Sequence, residues 1–278
     1  MSHYESLHGK RETMKLQASY PTPEHQTAAD AIIDFFVSKY KIDAVLLVNS
    51  CARGRATRDS CLDIIMLAKP DESRSSLSAL EAGWQEFEKS NQAVNALYKV
   101  GRYSVVHPDF IHGVFGPREQ DEADGPDDFE VQIGNFLAYS VPLWQGSDYY
   151  SQLKGQWLPY YHEELRLKRL DRVRWYCLNN LHHIPLYIER GLYFQSFDRL
   201  YNAFREFLQA LFIARRTYPI AYNKWIHEQV VEILGLPELY EQLSHLFEIK
   251  HFESGEITDK AKEVEELLEK YAPSDGAG

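Results

Sequence analysis

Residues 44–66, AVLLVNSCARGRATRDSCLDIIM, decide how the rest of the chain is read. The first run, residues 45–48, is short, apolar and rich in Val and Leu, the composition of a buried strand. Asn49-Ser50 stops it, Ala52-Arg53-Gly54 follows, and a polar passage leads to Ser60. A second strand-like run, residues 62–67, carries one carboxylate, Asp63. An aspartate inside an apolar strand is costly unless it binds something or faces an open cleft, so Asp63 is the strongest single candidate for chemistry. Ser50 and the backbone N–H groups around Gly54 suit phosphate oxygens, and Asp63 suits a divalent cation beside them.

Composition narrows the classes. A chain of 278 residues suits two domains or one large one, and 44% hydrophobic with 13% aromatic residues excludes global disorder. A net charge of −11 argues against a broad basic nucleic-acid surface, though not against a local basic pocket. Cys51, Cys61 and Cys177 form neither a metal-knuckle spacing nor an even disulfide set. With no apolar leader and no long apolar span, a cytoplasmic protein without membrane partners is expected.

Outward from the central stretch, residues 1–20 read as a loosely held N-terminus. A helix with Ala28, Ala29, Ile32, Ile33, Phe36 and Tyr40 on its apolar face follows the prolines at 21 and 23, with Thr22 as its cap. Residues 77–96 read as a helix, and 102–106 and 110–114 as short strands. An acidic loop at 118–128 precedes residues 129–133, whose alternation predicts a strand with Glu130 and Gln132 on one face. Residues 141–153 read as a turn-rich linker. Beyond Trp157 the pattern is helical: 158–181, 192–216, 224–234, 238–247 and a last helix starting at Thr258 or Asp259. The expected architecture is α+β, with a mixed-sheet domain over 21–150, a helical bundle over 151–272 and a tail at 273–278.

The central stretch resembles the nucleotidyltransferase superfamily with the polymerase-β-like core, in its small-molecule, antibiotic-modifying branch. The motif there is Gly-Ser, Ala-Arg-Gly shortly after, then Ser-Asp-x-Asp on the next strand. This chain has Asn49-Ser50, Ala52-Arg53-Gly54 and Ser60-Cys61-Leu62-Asp63. Asn49 replaces a glycine, a mild departure because Asn tolerates unusual backbone angles. Cys61 replaces the first metal-binding aspartate, and a thiol is a poor ligand for Mg²⁺.

The resemblance implies transfer of a nucleoside monophosphate, from ATP or another triphosphate, to a hydroxyl of a small acceptor, with Mg²⁺ or Mn²⁺. The implied metal set is Asp63, Glu130 and Cys61, with Asp63 and Glu130 catalytic. Ser50, Arg53, Gly54 and Lys224 are the implied nucleotide contacts. Each has a plainer reading: Ser50 as a turn cap, Glu130 as a solvent-facing edge residue with Asp128 as its substitute, and Lys224 and Arg216 as a surface pair. Arg53 is read as pointing away to an acid while its backbone serves the loop. Two functions stand side by side, an enzyme and a degenerate member that binds nucleotide without transfer. A homodimer is left open.

Overall fold

The computed structural model describes residues 16–118 and 124–274, so the expectations for residues 1–15, 119–123 and 275–278 lie outside the described residues. In chain order the elements are α1 (Pro23–Lys39), β1 (Ala44–Leu47), α2 (Asn49–Ala52), β2 (Leu62–Leu67), α3 (Leu77–Ser90), α4 (Gln92–Leu97), β3 (Val106–Ile111) and α5 (Phe129–Ile133). A π-helical turn (Gly134–Ala138), β4 (Val141–Gln145), α6 (Tyr149–Trp157), α7 (Glu163–Glu189) and α8 (Tyr193–Ala214) follow. A second π-helical turn (Glu228–Ile233), α9 (Pro237–His245) and α10 (Glu256–Tyr271) complete the order. The class is α+β: a four-stranded mixed sheet with helices, and a helical region after it.

Two compact units emerge. One holds the chain up to His112 together with Tyr139–Ser147; the other holds Gly113–Ala138 and the chain from Asp148 onward. Residues 113–138, grouped by the sequence reading with the α/β part, thus cluster with the helices.

In the sheet unit the strand order is β3-β2-β1-β4, with β1 antiparallel to both neighbours and β2 parallel to β3. Side chains alternate between faces. One face, carrying Val45, Leu47, Leu62, Ile64 and Met66, packs on Ile32 and Phe36 of α1 and on Leu80, Trp84, Val94 and Leu97 of α3 and α4. Each such side chain contributes about 1.5–3 kcal/mol on burial. The other face carries Ala44, Leu46, Ile65 and Leu67, all buried, and Asp63 at one end.

Several expectations are corrected. Residues 77–96 form two helices, because Asn91 ends α3 and caps α4 by accepting from Val94 N. The two short strands expected around residues 102–114 are one strand, β3, running through Pro108. Residues 141–153 hold β4 and the start of α6. Both missed strands contain a proline, which cannot donate to a ladder, and both lie at sheet edges, where proline is tolerated. Thr22 is the residue before α1 but makes no capping bond; its hydroxyl meets His25 Nδ1 at 2.9 Å instead.

In the helical unit, Leu170, Val173, Cys177, Leu181 and Ile184 form one stripe of α7. They pack against Leu200, Phe204, Phe207, Leu208 and Leu211 of α8 and against Ile257, Val264 and Leu268 of α10.

The fully buried carboxylate Asp43, just before β1, ties the sheet unit together. Arg74 Nε donates to Oδ1 at 2.9 Å, Lys69 N to Oδ2 at 2.7 Å, and the Ser147 hydroxyl to Oδ1. Burial pushes this carboxyl up, but the Arg74, Ser147 and Lys69 bonds outweigh burial and hold it below the ordinary range. A depressed carboxylate contributes stability above its unfolded pKa and loses it as pH falls. Asp43→Ala is therefore expected to destabilise the protein by about 2–3 kcal/mol at pH 7 in chemical denaturation, with a smaller penalty at pH 3.

Candidate functional site

β2 brings Asp63 to the end of its strand with the side chain almost covered, 7% exposed. Cys61, two residues earlier, points the same way, and its thiol donates to Asp63 Oδ2 at 3.1 Å. The sequence expectation that the thiol stands beside Asp63 is met in geometry. Among the described residues this is the one side-chain hydrogen bond Asp63 makes, and it comes from a neutral donor.

The neighbouring strand supplies what the sequence reading missed. β3 lies parallel to β2 with Asp63 opposite His107 and Ile65 opposite Asp109, so His107 and Asp109 share the face of Asp63. Asp109 is exposed by area and lines a hollow of about 330 Å³ with Glu81, Trp84 and Gln85. Its carboxyl is nonetheless held above the ordinary range, first by the protein packed around it and then by the charge of Asp63, with His107 acting in the opposite sense. The signal was present as Asp109 in HPDF, but Pro108 made that passage read as a break.

The loop between β1 and β2 is built by strict local demands. Asn49 sits at φ 56° and Gly54 at φ 70°, both left-handed, and the short turn of α2 lies between them. Glycine meets that demand without cost and Asn at a small one. Ser50 and Arg53 are buried, and Gly54 is exposed. Arg55 N donates to Ser50 O at 2.9 Å, and Ser19 N to Cys51 O at 3.1 Å. The return arm is pinned by His25 Nε2, which donates to Ser60 O at 2.9 Å, and by Thr57 N, which donates to Ser60 Oγ at 2.8 Å. Asp59 Oδ1 accepts from Arg102 N at 3.1 Å, and a Cβ on Gly101 would fall 1.9 Å from that oxygen, so a side chain there would have to displace the Asp59 carboxylate. Cys51 lies in the core beneath; burial above all, then Asp63 and Cys61, pushes its thiol up to about 12.

Glu130 is corrected. It lies on helix α5, not on a strand, and is fully buried in the helical unit. Arg169 of α7 donates from Nε to Glu130 Oε1 at 3.0 Å and from Nη2 to Oε2 at 2.7 Å. The same guanidinium holds both oxygens of Asp127 at 2.6 and 2.7 Å. Gln209 Nε2 donates to both acids, at 2.9 and 2.8 Å, and the Tyr161 hydroxyl to Glu130 Oε1 at 2.9 Å. Asp127 converges with Glu130 on this guanidinium, whereas Asp128, the substitute, only precedes α5. The alternation at 129–133 misled because Phe129, Glu130 and Ile133 are buried at helical spacing.

Lys224 is exposed on a turn, and Arg216 pairs with Glu163 at 2.7 Å, in agreement with its surface reading. A groove of about 850 Å³ on the helical unit is lined by Leu165, Arg172, Trp175 and Tyr176 and by none of the residues picked from the sequence.

A metal is tested against this donor set. Among the described residues no three His, Cys, Asp or Glu side chains come together to hold an ion. Mg²⁺, however, is commonly held by one or two carboxylates plus substrate phosphates rather than by an all-protein cage. Asp63 and Asp109 are hard oxygen donors on one sheet face; burial first and the charge of Asp63 second raise Asp109, and the second of these is what a cation relieves. In that shared mode the two residues fit the ion; Glu130, enclosed by Arg169, does not belong to the set.

No family model matches the chain, and no curated protein matches it. Among solved structures, a nucleotidyltransferase-like protein from Exiguobacterium sibiricum 255-15 is similar at 14% identity and a TM-score of 0.41, covering 91% of this chain and 77% of that one. A likeness that loose carries no argument about function. Among the described residues no helix is long and apolar enough to cross a membrane.

Truncating Arg169 would leave two buried carboxylates without their cation. Arg169→Met is expected to cost about 3–5 kcal/mol of stability, measured by denaturant unfolding. Arg169→Lys is expected to recover only part, because an ammonium cannot reproduce the planar fork.

Proposed function

We propose that the protein is a nucleotidyltransferase-type enzyme: it binds a nucleoside triphosphate at the Ser50–Asp63 loop and transfers the nucleoside monophosphate to a hydroxyl of a small acceptor. The observation that carries the reading is the pair Asp63 and Asp109 on one sheet face, reached by a loop with left-handed turns at Asn49 and Gly54. It is supported by the motif resemblance of residues 44–66.

In this reading the Ser50 hydroxyl and the backbone around Gly54 bind the phosphates. Asp63 and Asp109 would hold Mg²⁺ or Mn²⁺ together with the nucleotide, and the ion supplies charge neutralisation at the phosphates. Asp109, on the same sheet face as Asp63, is the carboxylate placed to accept the proton of the acceptor hydroxyl. The acceptor oxygen forms a bond to the α-phosphorus as the bond to pyrophosphate breaks, and pyrophosphate carries away the released charge. Lys224, exposed on the helical unit, is given no part in this site. Glu130 is given no catalytic or metal-binding role.

A second reading, nucleotide binding without transfer, is favoured by one observation. The Cys61 thiol donates to Asp63 where the resembled family has a second carboxylate, so the face has a neutral group in place of a charged one.

Calorimetry with ATP and Mg²⁺ tests the site. Ser50→Ala and Asp63→Asn are each expected to weaken binding at least tenfold, about 1.4 kcal/mol. Unchanged affinity in both variants removes the assignment.

Cys61→Asp separates the two readings. A full carboxylate there is expected to raise Mg²⁺-dependent ATP affinity. On the binding-only reading it also creates pyrophosphate release that the wild type lacks. If the wild type releases pyrophosphate with Mg²⁺ and Cys61→Asp slows it, the protein is an enzyme adapted to its cysteine.

A further inference from the structure

The core of the helical unit encloses a carboxyl group that the nucleotide reading does not use. Glu206 of α8 is 1% exposed, next to Ala203, Phe207 and Ala210 of the α7–α8 core. Its Oε2 accepts from Asn180 Nδ2 of α7 at 2.9 Å, and its Oε1 has no hydrogen-bond partner among the described residues. Among the described residues no cation is bonded to it. Arg199 donates from Nη1 to Asn180 Oδ1 at 2.8 Å and lies over the Tyr187 ring. A charged carboxylate placed so would be desolvated on one oxygen and answered only by an amide on the other, an arrangement that favours the neutral acid.

Several charged and titratable groups around this core have partners of their own. On α8, Arg199 and Arg205 draw the carboxyl down, and Arg205 donates to Asn202. On α7, Cys177 donates to Ala203 O, and Arg174 is taken up by Glu269 and by the carbonyls of Leu268 and Ala272. On α10, Glu265 meets His182 and Glu269 meets Arg174. The buried residues that α9 presents are Leu239 and Leu243.

We propose that Glu206 is a proton-operated lock on the α7–α8 core: the protonated acid lets the two helices pack closed, and its ionisation loosens them. Burial pushes the carboxyl from 4.5 up to about 8, against the smaller opposing pulls of Asn180, Arg199 and Arg205. For a folded-state value raised above the unfolded one, the stabilisation is complete below the unfolded value. It is lost progressively as pH climbs through the folded value, and levels off above it. Cys177, pushed well above its ordinary value by burial, stays a thiol throughout that window. The inference is independent of any nucleotide.

Two measurements on the full chain decide it. Carboxyl ¹³C NMR of the wild type should show Glu206 titrating near pH 8; a midpoint near 4.5 overturns the proposal. Amide hydrogen exchange across α7 and α8, corrected for the intrinsic pH dependence, should quicken on the order of a hundredfold between pH 6 and pH 9. That is the change carried by the roughly two pH units between 6 and the raised value. Glu206→Gln keeps the amide-sized side chain and all eleven histidines, which ordinarily titrate in the same window, so its corrected exchange should stay flat. Equal quickening in wild type and variant overturns the proposal. If Glu206→Gln does not fold, the decision falls to the wild type alone: a midpoint near pH 8 with quickened exchange upholds the lock, and a midpoint near 8 with flat exchange overturns it.

Discussion

Arg169 is the group on which the helical unit depends. One guanidinium on α7 holds both oxygens of Asp127 and both of Glu130, and Gln209 of α8 reaches the same two acids. A non-helical approach, α5, α7 and α8 are therefore tied at a single buried point. A pairing of this kind contributes little net stability compared with an apolar core, but it admits few alternative arrangements, because any slip of α5 exposes a buried charge to apolar surroundings. The rings of Phe129, Tyr160, Tyr161 and Tyr218 pack against one another beside it at centroid distances of 4.3–6.2 Å, and the Tyr161 hydroxyl joins the network at Glu130.

The sheet unit solves its own problem differently. β2 is the inner strand between β1 and β3, and its two faces ask for opposite things. Leu62, Ile64 and Met66 join the helix-covered core, while Asp63, Ile65 and Leu67 lie on the other face. The strand has to be apolar on both sides, and this is why it reads as a near-continuous hydrophobic run with one acid in it. The acid sits where β2 begins, next to a loop fixed by left-handed residues and by bonds from His25, Ser104 and Arg102. These bonds fix the backbone path on which Ser50, Cys61 and Asp63 stand.

What the sequence made legible follows from these constraints. β1, β2 and the loop between them were readable because burial on both faces leaves an apolar run, and positive φ leaves Asn and Gly. The long helices α7 and α8 were readable from their apolar stripes. The edge strands β3 and β4 were not: each carries a proline, and a proline on an edge strand looks in sequence like a break. Asp109 was lost with β3. Glu130 was misplaced for another reason. Five residues are too few to separate a period of 2 from one of 3.6, and what settled the question was Arg169, a partner 39 residues away in the chain.

The buried acids together sharpen the position of Asp63. Asp43 is answered by Arg74, Ser147 and Lys69 N, and its carboxyl is depressed accordingly. Asp127 and Glu130 are answered by Arg169 and Gln209. Among the described residues Glu206 has no cation bonded to it, and burial raises its carboxyl, which favours the neutral acid. Each of these four has a structural resolution that needs no ligand. Among the described residues no cation bonds Asp63, its side-chain donor is a thiol, and a second carboxyl on the next strand is raised by burial and then by the charge of Asp63. A protein interior seldom leaves a carboxylate in that condition for stability alone, since Asn in its place would cost less. The unfavourable placement of Asp63 is what an incoming cation or phosphate-bound ion would correct, and this physical asymmetry, rather than the motif alone, distinguishes it from the other acids of the chain.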